Sequence, residues 1–158
     1  EYNEKFYRSR YELGVVHEQN KEYDKAIIEY QAFGEATQEG NAFLGEGSCL
    51  LKQGKVDESL SPLRTAAVKS PKNYLPHMKL GYAYEKARNF EKALGCYIVA
   101  GKLNPQNPSL FLNLGNVFSH LRQFDNALTA YNEALKLGHP NKEGIQARVK
   151  EITELAKK

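Results

Sequence analysis

The strongest constraint in this sequence is a repeat with a period of 33 or 34 residues. Glycines mark the period at Gly14, Gly47, Gly81 and Gly115. Three further columns keep the same spacing: Tyr23, Val56, Phe90 and Phe124; Ala26, Ser59, Ala93 and Ala127; and Phe33, Ala66, Ala100 and Ala134. A period of this length is typical of proteins that stack similar supersecondary units. The sequence therefore predicts four units, at residues 7–39, 40–73, 74–107 and 108–141.

Each unit has the periodicity of two helices. In the fourth unit, apolar residues at i, i+3, i+4 and i+7 begin at Phe111, and a second stripe begins at Phe124. Only a short polar turn, residues 121–123, separates the stripes, which leaves room for antiparallel helices alone. No alternation of polar and apolar residues predicts a strand. The pattern indicates an all-α chain of helical hairpins, in which Gly115 and Ala127 are small because the two helices cross there.

Two segments lie outside the four units. Residues 142–158 carry apolar residues on one helical face, from Ile145 to Ala156, and charged residues elsewhere. Such a segment is expected to cap the last hairpin, because a stack of repeats otherwise leaves the apolar face of its final unit uncovered. Residues 1–6 contain no helix breaker and are expected to extend the first helix backwards. Residues 1–158 are thus predicted to form a single domain with a capping helix at 142–158.

The repeated columns resemble the tetratricopeptide repeat. In the third unit the matching residues are Leu80, Gly81, Tyr84, Phe90, Ala93, Tyr97, Ala100 and Pro105, and the fourth unit repeats the pattern from Phe111 to Ala134. The resemblance covers the four units and implies an α-α superhelix, a solenoid of four helical hairpins. The first two units depart from the family pattern at Arg10, Phe33, Gln38 and Glu46. For function, the resemblance implies a protein–protein interaction module, because this fold is a scaffold used by many unrelated proteins.

Composition removes several classes of function. Hydrophobic residues make up 41% and charged residues 26% of the chain, and the mean hydropathy is −0.62; these values exclude a disordered tail and a membrane-inserted protein. The net charge of +3 is too small to indicate a nucleic acid or an anionic membrane as partner. Because the sequence starts with Glu1 and contains no targeting signal, it is expected to be a piece of a longer protein. Its compartment stays open, with the cytoplasm favoured.

No motif with known catalytic mechanics occurs in the sequence. The nucleophile elbow, the P-loop, the dinucleotide-binding glycine motif and the H-E-x-x-H zinc motif are all missing. His17 and His77 lie in signature columns usually filled by aromatic residues, so they are expected to pack with satisfied ring nitrogens and not to bind metal. Cys49 and Cys96 are expected to be buried, unreactive thiols. The sequence therefore predicts no enzyme, no catalytic or metal-binding residue and no cofactor.

The same resemblance implies that the first helices of the hairpins line a concave groove. The side of each first helix opposite its packing stripe carries a second set of residues, which has no role in the predicted packing. The candidate groove residues are Tyr11, Val15, Leu44, Ser48, Lys52, Leu75, Met78, Lys79, Tyr82, Lys86, Leu112, Asn113, Asn116 and His120. Their apolar members form a track bordered by lysines and asparagines, which suits an extended peptide or a helix. The predicted function is that of a scaffold or adaptor whose groove binds a partner protein.

A structural role is the alternative. The apolar groove residues could instead be covered by the N-terminal extension, by flanking repeats or by another copy of the chain, so that the solenoid packs on itself as a homo-oligomer. Family members that bind a C-terminal carboxylate use a clamp of Lys, Asn and Arg side chains. Tyr11 and Val15, or Leu44 and Ser48, stand where the first Lys and Asn of that clamp would be. The resemblance therefore does not imply recognition of that class of chaperone tail.

Overall fold

Helices account for all of the regular structure that is described. The computed structural model describes the backbone of residues 2–156 and the side chains of residues 5–156. Over that range it contains nine α-helices and no strand. They are α1 (Tyr2–Gln19), α2 (Tyr23–Thr37), α3 (Gly40–Lys52), α4 (Val56–Lys69), α5 (Tyr74–Lys86), α6 (Phe90–Leu103), α7 (Pro108–His120), α8 (Phe124–Lys136) and α9 (Lys142–Leu155). The all-α prediction is confirmed.

The first eight helices form four hairpins that stack along one direction. The pairs α1 and α2, α3 and α4, α5 and α6, and α7 and α8 pack closely, and each second helix also packs on the first helix of the next hairpin. The first helices α1, α3, α5 and α7 touch their successors across the stack. They therefore lie on the inner side of the curve, and the predicted solenoid is confirmed. The boundaries at residues 39, 73, 107 and 141 as those of four repeats stay a prediction.

Both ends of the stack follow the expected pattern. Helix α1 starts at Tyr2, five residues before the start of the first predicted unit, so the N-terminal extension is helical over the described residues. Helix α9 packs on α8 with Ile145 and Ile152 buried, and Ala156 occupies its C-terminal cap position. The predicted positions 1, 157 and 158 lie outside the described residues.

Local sequence explains where several helices begin and how the hairpins turn. The side chains of Asn73, Asn89, Asn107 and Asn141 each accept a hydrogen bond from a backbone N–H in the first turn of α5, α6, α7 and α9. These bonds satisfy donors that a helix leaves free at its start. Each hairpin turn has one residue with positive φ, at the same repeated position: Lys21, Gly54, Arg88 and Arg122. Only the second is the glycine that this conformation favours.

A large side chain of the second helix covers the repeated glycine in each hairpin. A Cβ atom added at Gly81 would lie 2.7 Å from the ring of Tyr97, and one added at Gly115 would lie 2.5 Å from the ring of Tyr131. Tyr30 covers Gly14 in the first hairpin, and Leu63 covers Gly47 in the second. The glycines are therefore small because an aromatic or leucine side chain occupies the adjacent space. The alanines of the crossing, Ala93 and Ala127, are fully buried.

Candidate functional site

Half of the predicted groove residues lie around one cavity on the inner side of the stack. The cavity has a volume of about 250 Å³ and lies among α1, α3 and α5. The predicted residues that line it are Tyr11, Val15, Leu44, Ser48, Lys52, Leu75 and Lys79. Leu44 of α3 and Leu75 of α5 supply apolar surface from neighbouring first helices. The three helices thus place an apolar floor beside two lysines.

One carboxylate joins three helices at this cavity. Glu18 accepts a hydrogen bond from the Tyr30 hydroxyl at 2.7 Å and one from the Lys52 ammonium at 2.9 Å. Because of its bond to Glu18, the pKa of Lys52 is raised above its usual value; burial, followed by the bond to Glu18, raises the pKa of the Tyr30 hydroxyl. The positive charge of Lys52 is therefore compensated by the Glu18 carboxylate. Lys79 has no ion-pair partner among the carboxylates of residues 5–156.

A second cavity continues the first towards the N-terminal end. It has a volume of about 490 Å³ and shares Tyr11 and Asn41 with the first cavity. Its other lining residues are Lys5, Arg8, Phe33, Thr37 and Glu39. Burial, with Glu18 and Glu39 nearby, raises the pKa of the Tyr11 hydroxyl, so this phenol stays protonated at neutral pH. The groove is thus longer than predicted, and two further cations, Lys5 and Arg8, lie at its N-terminal end.

The prediction missed several residues of this longer groove. Asn41 lines both cavities, and it lies 34 residues before Leu75, so the repeat column could have identified it. Thr37 is the last residue of α2, and Glu39 lies in the link before α3, so both are outside the first helices to which the prediction was restricted. A connecting segment carries no helical periodicity, and only the folded chain brings it to the groove.

The other predicted groove residues lie on α5 and α7, and several of them pack within the protein. Met78 packs against the cluster between α6 and α7, where its sulfur accepts a hydrogen bond from the Asn107 amide at 3.7 Å. Leu112 packs against the cluster that α8 and α9 form. Asn116 accepts a hydrogen bond from the Tyr131 hydroxyl at 3.0 Å. The expectation that the groove side chains have no packing role is therefore wrong for Met78 and Leu112, because neighbouring helices reach them. It is also wrong for Tyr11, Val15 and Leu44, which line the cavity and pack against buried clusters as well.

Ring contacts engage three more of these residues, His120, Lys86 and Tyr82. The His120 ring stacks on Phe90 with a centroid separation of 4.3 Å and an interplanar angle of 11°. The Lys86 ammonium lies 5.1 Å from the centre of the Tyr82 ring, a cation–π geometry. Tyr82 is 39% exposed, and Asn113 is half-buried. These two side chains and Lys86 lie on α5 and α7, and none of the three lines the two cavities described above.

The histidines and cysteines divide into confirmed and failed predictions. His17 packs with its Nδ1 atom 2.6 Å from a Glu22 carboxylate oxygen, as expected. His77 is different, because its Nε2 atom is buried and has no hydrogen-bond partner among the described residues. Cys49 is fully buried, and burial raises the pKa of its thiol to about 12. The described side chains contain no group of three His, Cys, Asp or Glu that could hold a metal ion.

Among the helices of residues 2–156, none combines the length and the apolar character that crossing a bilayer requires.

Comparison with known protein families identifies the fold. The model described as tetratricopeptide repeat matches residues 1–40 and 78–141, which together are more than half of the sequence. The chain belongs to the tetratricopeptide repeat family. The unmatched residues 41–77 contain the hairpin in which Leu63, not a tyrosine, covers the repeated glycine. Tetratricopeptide repeat proteins are non-catalytic modules that mediate protein–protein interactions.

One curated relative shares part of the sequence. Anaphase-promoting complex subunit 3 of Schizosaccharomyces pombe is 32% identical over 92 residues, which are 58% of this tetratricopeptide repeat chain and 14% of that subunit. The chain thus spans only a small part of this relative.

Solved tetratricopeptide repeat structures share the fold. MamA AMB-1 matches with a TM-score of 0.82 and 22% identity, over 97% of this chain and 84% of its own. YrrB, a TPR protein with an unusual peptide-binding site, matches with a TM-score of 0.79 and 17% identity, over 90% of this chain and 74% of its own. The first TPR of Spaghetti (RPAP3), bound to the HSP90 peptide SRMEEVD, gives 0.72 and 21%, over 77% of this chain and 96% of its own.

Proposed function

We propose that the protein is a scaffold or adaptor that binds a peptide or a helix of a partner protein in its concave groove. The observation that carries the proposal is the cavity among α1, α3 and α5, which gathers half of the predicted groove residues around one space. Its continuation to Lys5 and Arg8 makes the space long enough for an extended segment and not only for a single side chain. Two solved structures of this fold, YrrB and the first TPR of Spaghetti, are described with peptide-binding sites.

The lining of the groove defines the chemistry of the proposed ligand. Leu44 and Leu75 offer apolar contact to one or two side chains, and the half-buried ring of Tyr11 adds an aromatic surface with a hydroxyl. Lys79 at one end and Lys5 and Arg8 at the other supply positive charge, whereas Glu18 already neutralises Lys52. A segment with apolar anchors and acidic residues complements this surface.

The proposed role is non-catalytic, and the proposed partner is a protein and not a nucleic acid. The carboxylate on the floor of the groove is engaged in structural contacts, because Glu18 accepts hydrogen bonds from Tyr30 and Lys52. The net charge of +3 is small for a surface that would follow a phosphate backbone. The compartment in which the partner is met stays a prediction in favour of the cytoplasm.

Selection from a peptide library tests the proposal. Random peptides displayed on phage are selected on the immobilised chain, and the selected peptides are synthesised and titrated against variants. Leu75→Ser with Lys79→Glu removes an apolar anchor and reverses a charge, and we expect it to weaken binding at least ten-fold. Circular dichroism and thermal melts establish that this variant keeps the wild-type helix content.

The matched control changes an exposed surface elsewhere. Val68 on α4 is 79% exposed, and Val68→Glu is expected to leave the affinity within two-fold. Peptides that bind the groove variant as tightly as they bind the wild type would show that the binding site is not this groove. Enrichment of basic peptides without apolar residues would contradict the proposed ligand chemistry.

A further inference from the structure

The capping residues of the first helices differ between the second hairpin and the hairpins that follow it. The residue before each of α5, α7 and α9 is an asparagine, Asn73, Asn107 or Asn141, whose side chain accepts a hydrogen bond from a backbone N–H of the first turn. The same repeat column holds Glu39 before α3, and its side chain caps no backbone N–H group of the described chain. A first turn without this acceptor makes a helix less stable.

Helix α4 lacks a side-chain cap as well. Lys55 precedes it, and an ammonium group can only donate hydrogen bonds. Asn89 is the equivalent residue before α6, and its side chain accepts a hydrogen bond from the backbone N–H of Lys92. Within the described residues, both helices of the third hairpin are therefore capped by a side chain, and neither helix of the second hairpin is.

Residues that disfavour a helix lie inside both helices of the second hairpin. Pro62 lies inside α4, where it has no N–H group to donate to the carbonyl oxygen of Glu58. Gly45 and Gly47 lie inside α3, and a Cβ atom at these positions would lie 2.7 Å and 2.5 Å from neighbouring side chains. The glycines thus permit close packing but lower the helix propensity of α3. Both helices depend on their neighbours to stay helical.

The core columns of the second hairpin supply less apolar surface than those of the other hairpins. Leu63 stands where the other three hairpins have a tyrosine, and Ser59 stands where they have an alanine. Both residues are fully buried, and the Ser59 hydroxyl donates a hydrogen bond to the carbonyl oxygen of Val56 at 2.6 Å. Since an aromatic side chain buries more apolar surface than leucine, the second hairpin gains less from packing.

The buried clusters follow the same division. From α5 to α9 two clusters adjoin each other, because Phe111 and Phe118 pack against both. The cluster around Leu63 is smaller and is shared with α5. The cluster around Tyr30 has no residue in common with it. The core is therefore continuous through the later hairpins and interrupted at the second one.

We propose that the second hairpin, α3 and α4, is less stable than the third and fourth hairpins, and that it opens while those hairpins and α9 stay folded. The stability of a repeat stack is close to a sum of the stabilities of its units and of the interfaces between neighbours. Missing caps, an internal proline and a smaller apolar core all lower the stability of the same unit. Its contacts with α2 and α5 are what hold it closed.

Opening of this hairpin removes the middle of the candidate groove. Helix α3 supplies Asn41, Leu44, Ser48 and Lys52 to the cavity among α1, α3 and α5. A segment bound there contacts all three helices only when the hairpin is closed, so it shifts the equilibrium towards the closed state. This consequence for binding rests on the proposed function, whereas the difference in stability between the hairpins does not.

Hydrogen–deuterium exchange of the 158-residue chain, followed by mass spectrometry of peptic peptides, measures the opening of each hairpin. No ligand is added, so the result is independent of the proposed function. Relative to an unstructured chain, we expect amides of residues 43–52 and 59–69 to exchange at least ten-fold faster than those of residues 111–120 and 127–136. Equal protection of the two hairpins would overturn the proposal.

Transfer of the caps tests the physical cause. Glu39→Asn with Lys55→Asn gives α3 and α4 the capping residues of α5 and α6, and the backbone angles of Glu39 and Lys55 are similar to those of Asn73 and Asn89. We expect exchange in α3 and α4 to become at least ten-fold slower. Loss of the exposed contact between Lys55 and Asp24, at 3.9 Å, contributes little.

Cys49 on α3 gives a second readout, because its side chain is fully buried. In a Cys96→Ser background, its alkylation by iodoacetamide should also become at least ten-fold slower when the two caps are transferred. An unchanged rate of exchange in α3 and α4, or of alkylation at Cys49, would overturn the proposal.

The control separates opening of one hairpin from unfolding of the whole chain. Asn107→Ala removes the cap of α7 and should make exchange in α7 and α8 at least three-fold faster. It should leave exchange in α3 and α4 within two-fold, because the second hairpin opens while the fourth is folded. Equal acceleration in both hairpins would show that the chain unfolds as one unit, which would also overturn the proposal. Circular dichroism checks that each variant keeps the wild-type helix content.

Discussion

The two parts of the concave face have equivalent columns but different surfaces. The part formed by α1, α3 and α5 encloses a cavity, with Leu44, Leu75 and Lys79 facing it. In the part formed by α5 and α7, Asn116 is bonded to Tyr131, the His120 ring stacks on Phe90, and Leu112 packs towards the last two helices. The repeat column thus predicts where a side chain lies along the stack, but its neighbours decide whether it is free to contact a ligand.

Part of this difference comes from the residue that accepts a hydrogen bond from the tyrosine hydroxyl in each hairpin. The tyrosine that covers the glycine donates its hydroxyl hydrogen to Glu18 in the first hairpin and to Glu85 in the third, at 2.7 and 2.8 Å. In the fourth hairpin the hydroxyl of Tyr131 instead donates to Asn116, which lies three residues before the position that corresponds to Glu85. In the fourth hairpin the predicted groove residue Asn116 is therefore bonded within the protein. In the first hairpin Glu18, which is not one of the predicted groove residues, has that role.

We expect the largest change in stability from substituting the buried tyrosines that pack beneath the two parts of the groove. Tyr30 and Tyr97 are 2% and 0% exposed, so Tyr30→Ala and Tyr97→Ala should each lower the free energy of unfolding by about 3–5 kcal/mol. Tyr82→Ala, at a 39% exposed position, should cost less than about 1 kcal/mol. Urea denaturation followed by circular dichroism measures all three. A loss at one buried tyrosine only would show that the two parts do not share the same support.

The two cysteines, Cys49 on α3 and Cys96 on α6, report on burial in the second and third hairpins. The pKa of the Cys49 thiol is raised to about 12 by burial, with the nearby Glu18 contributing, so at pH 8 its thiolate fraction is on the order of 10⁻⁴. We expect Cys49 to react with iodoacetamide at least 100-fold more slowly than a free thiol, and the rate to rise with pH. Burial also raises the pKa of the half-buried Cys96, whose rate should lie between these two.

Mass spectrometry of the Cys49→Ser and Cys96→Ser variants gives the two alkylation rates separately. Equal rates for Cys49 and Cys96 would contradict the different burial of the two thiols.

The repeated glycines give an effect of intermediate size. Gly115→Ala brings a Cβ atom to 2.5 Å from the Tyr131 ring, and overpacking of this kind should cost about 1–3 kcal/mol. Gly14→Ala, with 2.9 Å to the Tyr30 ring, should cost less. The control is Gly95→Ala on α6, where an added Cβ meets no atom within 4 Å and should stabilise by about 0.5–1 kcal/mol. Thermal melts that rank these three variants differently would contradict the packing description.

The lysines of the two parts give the smallest effect. Lys52→Met removes the ion pair with Glu18 and should lower stability by up to about 1 kcal/mol, because both side chains are partly exposed to solvent. Folding raises the pKa of Lys52 above its ordinary 10.5, mainly through the bond to Glu18. The contribution is therefore complete below pH 10.5 and is lost as the pH rises through the folded-state value.

Melting temperatures of wild type and Lys52→Met at pH 8 and pH 11 measure this difference. Lys86→Met serves as the comparison, since Lys86 contacts the Tyr82 ring and no carboxylate among the described residues. A difference for Lys52→Met that is unchanged at high pH would show that the ammonium charge is not what stabilises the protein.

Much of the fold could be predicted because the repeat supplies several independent observations of the same unit. The hairpin turns at 121–123 and the capping helix from residue 142 agree with the structure over the described residues. The groove could be predicted only as a set of positions. Asn41 was missed although it shares a repeat column with Leu75. Thr37 and Glu39 were missed because they lie at the last residue of α2 and in the link before α3, where no periodicity identifies an inward direction.

The sequence by itself determined the all-α class, the hairpin and the stacking, because helix periodicity and the repeat spacing are local properties that each unit expresses again. Only the tertiary structure decided which concave side chains surround a cavity, that His77 Nε2 is buried without a partner, and that Leu13 and Val16 remain exposed. These features depend on side chains from other helices, and identical column positions acquire different neighbours at the middle and at the ends of a stack.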